Sequence, residues 1–144
     1  MKRIYPKEEV CIACRLCEVY CQAEHSNTRD VIRAFKVETP RPDRRIFMQQ
    51  EGVVSLAINC RHCDEPECVY ACIAGALIKS ETGLVEFNVD KCIGCWTCIL
   101  ACPYGVITRD SARAKVAKCD FCPERQIPAC VAVCPNGALL LAEV

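Results

Sequence analysis

The chain is poor in aromatic side chains: its 144 residues include one Trp, four Tyr and four Phe. A core of that kind is thin, so something besides apolar packing has to supply part of the folding energy. Net charge is missing as well. Eighteen Lys and Arg balance eighteen Asp and Glu, which gives no basis for a nucleic-acid surface or an acidic tail. No apolar run precedes Cys11 in MKRIYPKEEV, so no secretory leader is expected. The longest apolar stretches, such as the one after Gly137, fall far short of a membrane span. There is no GxxxxGK phosphate loop, no GxGxxG and no separate C-x3-C-x2-C radical-enzyme motif. The expectation is therefore a protein of the reducing cytoplasm, without direct membrane insertion and without a substrate site of its own.

What the chain does have is cysteine, 16 residues of it. A disulfide scaffold needs an exported chain; in a reducing compartment clustered cysteines read as metal ligands. They fall into four groups of four. The first is Cys11, Cys14, Cys17 and Cys21, in CIACRLCEVYC. The second is Cys60, Cys63, Cys68 and Cys72, in CRHCDEPECVYAC. The third is Cys92, Cys95, Cys98 and Cys102, in CIGCWTCILACP. The fourth is Cys119, Cys122, Cys130 and Cys134, in CDFCPERQIPACVAVCP. Each group opens with C-x2-C and closes with two cysteines four residues apart. Only the middle gap varies, and the wider gaps hold Pro66 and Pro128, as looped-out turns would.

The first and third groups match the C-x2-C-x2-C-x3-C pattern of bacterial ferredoxins. A loop of that spacing wraps three thiolates around three irons of one cubane. The fourth cysteine lies at i+4, one turn along a short helix that should start there, roughly 5–6 Å further on. That offset carries its sulfur away from the first cubane and towards a neighbour, so groups should work in pairs that exchange their last cysteines. Zinc is the weaker reading, because zinc sites pair two C-x2-C knuckles around one ion.

The linkers suggest which groups pair. Between Cys72 and Cys92, ALIKSETGLVEFN reads as a hairpin with its turn at Glu81–Gly83. The second and third groups then form one module, and the first and fourth form another from the two ends of the chain. The segment 22–59 is separate. It carries Arg29, Arg33, Lys36, Arg41, Arg44 and Arg45, and two strand-like runs, VIRAFKV at 31–37 and VVSLAI at 53–58. It reads as a solvated hairpin excursion, or else as a docking surface for a partner subunit. The fold class expected is α+β: two ferredoxin-like dicluster modules of short helices and β-hairpins, one nested inside the other. Residues 1–30 and 111–144 form the outer module, 31–54 the inserted arginine-rich hairpin, and 55–110 the inner module.

The order of the groups, with CRHCDEPECVYAC and KCIGCWTCILACPYG, resembles the four-cluster iron–sulfur subunits of the dimethyl sulfoxide reductase type. Within them the chain looks most like the ferredoxin partner of nickel carbon monoxide dehydrogenase. The resemblance implies four [4Fe–4S] clusters. It implies one ligand set of Cys11, Cys14, Cys17 and Cys134, and a second of Cys21, Cys119, Cys122 and Cys130. The third would be Cys60, Cys63, Cys68 and Cys102, and the fourth Cys72, Cys92, Cys95 and Cys98. Some relatives lack the second cysteine of the third group; here it is Cys95, so four complete cubanes are expected. The fourth group's short middle gap and the lack of an anchoring tail after Val144 are departures from the pattern.

The function implied is a non-enzymatic electron-transport subunit of anaerobic metabolism. It would relay single electrons between a catalytic oxidoreductase and a second redox partner. Carbon monoxide dehydrogenase leads as that oxidoreductase, ahead of formate dehydrogenase or hydrogenase. A free polyferredoxin and a purely structural iron–sulfur scaffold are the alternatives. His62 is expected to pack or hydrogen-bond beside a cluster, and His25 to lie on the surface. Trp96 and Tyr104 should keep water from the third group, and Pro103 and Pro135 should hold the turns after the shared cysteines.

Overall fold

The structure is a computed structural model and describes residues 2–143; Met1 and Val144 lie outside the described residues. Its sheets are small, each a single antiparallel pair. Strand β1 (Lys2–Pro6) pairs with β8 (Leu139–Glu143), with Lys2 opposite Glu143 and Ile4 opposite Leu141. The two ends of the chain are thus laced together, with Ile4 and Leu139 turned into the core. Strand β2 (Ile46–Glu51) pairs with β3 (Val54–Asn59), and β4 (Leu77–Lys79) with β5 (Val85–Phe87). A two-residue pair, β6 (Thr108–Arg109) and β7 (Val116–Ala117), completes the set. The hairpin expected between the second and third groups is β4–β5. Its period of two sends Leu77 and Val85 inward and Ile78 and Glu86 outward.

The helices are short and all but one carry cysteine. Helix α1 (Leu16–Glu24) holds Cys17 and Cys21, α3 (Glu67–Tyr70) holds Cys68, α4 (Thr97–Ala101) holds Cys98, and α5 (Ala129–Val133) holds Cys130. Each helix begins at the third cysteine of its group, not at the fourth; in α4 and α5 the fourth is the C-cap. Helix α1 packs on α5, and α3 on α4. Among the described residues no helix is long and apolar enough to cross a membrane.

The remaining helix corrects the sequence reading. VIRAFKV is not a strand: Val31–Lys36 form α2. Asp30 takes the N-cap, and its carboxylate accepts the Arg33 N–H at 2.8 Å. One capped turn that buries Ala34 completely outweighs the strand preference of Val31 and Ile32. Asp30→Ala is expected to cost α2 about 1 kcal/mol, seen as faster amide exchange at Arg33 and Ala34 with iron content unchanged.

The arginines of the same segment fold back on the protein. Arg44 lies over the Phe47 ring at 5.4 Å and 3.7 Å from Glu18. Glu18 is itself buried and accepts the Met48 N–H at 2.8 Å, which ties α1 to β2. Arg29 pairs with Glu124 and Arg45 with Asp120.

The core is made of small and sulfur-bearing side chains. Among the described residues no Phe, Tyr or Trp is fully buried, whereas nine cysteines are. One cluster of core residues joins Cys17, Cys21 and Cys130 to Ile4, Ile46 and Leu139; another joins Cys68, Cys92 and Cys98 to Leu77, Val85 and Ile107. A third, small cluster lies where Cys60 and Cys119 meet at Val106.

Candidate metal centres

The cysteine loops share a backbone feature that their side chains conceal. The second residue after the first cysteine is left-handed in all four groups: Ala13 (φ +53°), His62 (+47°), Gly94 (+71°) and Phe121 (+68°). Arg15 and Trp96 repeat the conformation two residues further on in the first and third groups. Left-handed residues alternating with ordinary ones turn successive amides to one side, which makes a concavity for an anion. For non-glycine residues this costs roughly 1–2 kcal/mol each, so something inside the loop has to hold it.

Gly94 is a special case. A Cβ there would sit 2.4 Å from the Ala114 carbonyl oxygen. Ala13 occupies the equivalent position in the first group, so the dihedral itself tolerates a methyl. Gly94→Ala is therefore expected to displace the loop through that clash and to cost a cluster's worth of iron, about four atoms. Iron analysis checks this, with Ala13→Gly as the harmless counterpart.

A second shared turn follows the last cysteine. Gly75, Gly105 and Gly137 stand three residues after Cys72, Cys102 and Cys134, each with φ near +60° and each donating its N–H to that cysteine's carbonyl. The next amide turns to the sulfur: Ala76 N–H reaches Cys72 Sγ at 3.2 Å and Ala138 N–H reaches Cys134 Sγ at 3.1 Å. The second group makes this turn with Ile73 where the third and fourth have Pro103 and Pro135. The glycine is thus the common element, visible in the sequence as Cys-x2-Gly.

The thiols come together in fours. Cys11, Cys14, Cys17 and Cys134 line one apolar cavity, walled by Val10, Met48, Ala57 and Leu139. Cys72, Cys92, Cys95 and Cys98 line another, walled by Leu77, Phe87, Trp96 and Val116. Burial pushes the Cys68 thiol up to about 11, with Cys60, Cys102 and Cys63 close enough to add to the effect. Burial raises the Cys130 thiol too, helped by Cys119, Cys21, Cys122 and Cys17. Cys17 and Cys119 are likewise pushed to about 11, chiefly by burial. Thiols held this way are protonated at neutral pH, and only a cationic ligand draws out their thiolates. Cys14 and Cys95 are exposed.

Polar groups gather between these tetrads. His62 is buried and its Nδ1 accepts the Val85 N–H at 2.9 Å, so the proton sits on Nε2. That Nε2 has no partner in the protein. Burial, with Lys118 and Lys79, drives the ring down to about 3, so it is neutral. Asn59 Nδ2 lies 3.8 Å from Cys119 Sγ. Lys79 donates to the carbonyls of His62 and Cys63 at 2.9 and 2.5 Å, and Lys118 to those of Val85 and Cys119 at 2.5 and 2.7 Å.

His25 is not on the open surface. It caps α1, with Nδ1 2.7 Å from the Cys21 carbonyl and Nε2 3.0 Å from Asp120. Burial would raise Asp120, but the His25 hydrogen bond and Arg45 hold its carboxyl far below the usual range. Arg45 also gives its backbone N–H to Cys21 Sγ at 3.3 Å. Trp96 stands at its cavity beneath Arg109, 4.3 Å from ring centre to guanidinium. Tyr104 is half exposed under Arg61 and lines neither cavity. Sequence reasoning passed over Lys118 and Asp120, although each adjoins Cys119; a charge beside a ligand cysteine is the signal.

Tetrads of thiols with apolar walls, inward amides and an orphaned N–H on His62 fit an anionic, sulfur-rich group. A family model described as a 4Fe-4S dicluster domain matches residues 53–144. The chain belongs to that family. This dicluster protein is 36% identical over 149 residues to the electron transport protein HydN of Escherichia coli, covering 92% of the chain and 83% of the relative. It is 34% identical over 137 residues to one of the chains of the anaerobic dimethyl sulfoxide reductase of Escherichia coli, covering 90% of its own length and 67% of the relative's. The resemblance to iron–sulfur subunits of that type thus stands. A solved active-site complex BamBC of benzoyl coenzyme A reductase shares the fold, with a TM-score of 0.53 and 22% identity over all of this chain and 80% of that one. The dicluster protein is an iron–sulfur electron-transfer protein, and its sixteen cysteines make four [4Fe–4S] clusters its cofactors.

Proposed function

We propose that the protein is the electron-relaying subunit of an oxidoreductase, with four clusters in a row held by cysteines exchanged between groups. The clusters supply one-electron redox capacity at low energetic cost of rearrangement. The chain's residues bind them, keep water from them and set their surroundings. The ligand sets proposed are Cys11, Cys14, Cys17 and Cys134; Cys21, Cys119, Cys122 and Cys130; Cys60, Cys63, Cys68 and Cys102; and Cys72, Cys92, Cys95 and Cys98. The observation that carries this reading is the cavity in which Cys134, from the far end of the chain, joins three cysteines of the first group.

The order of the row follows from neighbours. Cys17 adjoins Cys130 in one core cluster, Cys119 adjoins Cys60 in the next, and Cys102 adjoins Cys98 in the last. Exposed Cys14 and Cys95 mark the two ends. Outer and inner dicluster modules, from groups one and four and from groups two and three, are supported by the α1–α5 and α3–α4 packing and the β1–β8 pairing. No catalytic role is proposed. The catalytic partner favoured is a carbon monoxide dehydrogenase, on the resemblance of the sequence, with formate dehydrogenase or hydrogenase next; a second redox protein meets the other end.

Anaerobic purification from the native cell tests the reading. A catalytic oxidoreductase is expected to co-purify and to reduce the bound clusters when given its substrate. A lone 16.0 kDa chain whose reduced form serves many soluble enzymes alike would replace the subunit with a free polyferredoxin. Clusters that no reductant reaches would leave a structural scaffold.

A further inference from the structure

A lysine is buried between the two inner cysteine sets. Lys118 is 2% exposed. Its ammonium donates to the Val85 carbonyl at 2.5 Å and to the Cys119 carbonyl at 2.7 Å. Among the described residues no carboxylate lies within ion-pair distance of it; the nearby Asp120 is engaged by Arg45 and His25. An ammonium taken out of water costs several kcal/mol, and two carbonyl dipoles offset only part of that. The rest has to come from negative charge close by. The groups that feel Lys118 are the thiols of Cys60 and Cys68, from one inner set, and of Cys119, from the other, and in each case it favours the thiolate. These belong to different ligand sets, and Lys118 is their shared cation.

The protein has other cations beside cysteine loops, but they stand differently. Lys115, which donates to the Cys92 carbonyl, is half-exposed and belongs to one outer loop. Lys79 holds the His62 and Cys63 carbonyls of a single inner loop. Lys118 alone of these three is fully buried and faces two sets.

We infer that Lys118 is a positioning residue whose fixed charge raises the reduction potentials of the two inner clusters together. Each reduction places one more electron, and so one more negative charge, within a few ångströms of the ammonium. A fixed cation stabilises the reduced state more than the oxidised one, and low dielectric magnifies the difference. The inner pair is thereby made easier to reduce without altering a ligand. This assignment rests on the ligand sets proposed above.

The test is a potentiometric titration of the intact four-cluster protein with titanium(III) citrate, followed by electron paramagnetic resonance. In Lys118→Met, two of the four one-electron steps are expected to fall by on the order of tenfold in their reduction equilibrium, about 59 mV, while the other two stay. Lys118→Arg keeps all four in place. Steps that do not move, or four that move alike, overturn the assignment. Where Lys118→Met does not load, Lys118→Gln is read the same way. Loss of the inner clusters in both neutral variants but not in Lys118→Arg assigns the charge through iron content; loss in all three, Arg included, makes Lys118 a packing residue and overturns the proposal. The native titration separates the two levels. Four steps in the native protein with none displaced in the variants removes the lysine's role alone, whereas fewer than four removes the ligand sets beneath it too.

Discussion

Stripping the iron is expected to unfold this protein, not to leave an empty scaffold. The fully buried core holds nine cysteines and no aromatic ring. Its largest fully buried apolar side chains are Ile46, Leu77, Ile107 and Val85, and burying such a side chain contributes about 1.5–3 kcal/mol. Against this stand the left-handed backbones of Ala13, Arg15, His62, Trp96, Phe121 and Cys122, at roughly 1–2 kcal/mol each, and the entropy of the whole chain. The buried Lys118 ammonium and the unpartnered His62 N–H add to the deficit once the anionic clusters are gone. Binding of metal to thiols is then a large part of the folding free energy. Chelation under anaerobic conditions should abolish the near-ultraviolet circular dichroism and amide protection throughout residues 2–143, and reconstitution should restore them. A stripped chain that keeps a cooperative thermal transition would show that apolar packing suffices.

The second large effect is expected at Cys102. It ends α4 in sequence with Cys92, Cys95 and Cys98, yet it also packs in the small core with Cys60 and Cys119. Cys102→Ala should damage the centre that Cys60, Cys63 and Cys68 are proposed to hold and should spare the one at Cys92, Cys95 and Cys98. The resonance signal lost should therefore match that lost in Cys68→Ala and differ from that lost in Cys98→Ala. Iron should fall by no more than the four atoms of one cubane. Because the damaged centre is an inner one, electron passage from one end of the protein to the other should fall by orders of magnitude, while reduction of the outermost centre persists. A signal matching the Cys98→Ala loss would return Cys102 to its sequence neighbours.

How much of this was legible in the sequence depended on how local the cause was. The cysteine groups announce themselves because thiolate spacing has few other uses, and Leu77 and Val85 alternate as a half-buried strand must. VIRAFKV misleads because a run of six or seven apolar and basic residues fits either period; the deciding atom is the Asp30 carboxylate just outside it. The β1–β8 pairing joins residues from opposite ends of the chain, and nothing in either strand names the other. Lys118 and Glu18 were invisible for a different reason. Lysine and glutamate are almost always solvated, and only the three-dimensional arrangement shows that each is buried with partners. His25 looked like a surface residue because its acceptor, Asp120, is ninety-five positions away.

The central claim is that sulfurs one helical turn apart serve different metal centres. Diffraction from crystals of the iron-loaded protein, recorded at the iron absorption edge, measures this directly. The account predicts four iron centres in a row, with Cys102 at the one bound by Cys60, Cys63 and Cys68, and Cys134 at the one bound by Cys11, Cys14 and Cys17. Iron peaks that place Cys102 with Cys92, Cys95 and Cys98, or isolated single ions at these positions, would contradict it.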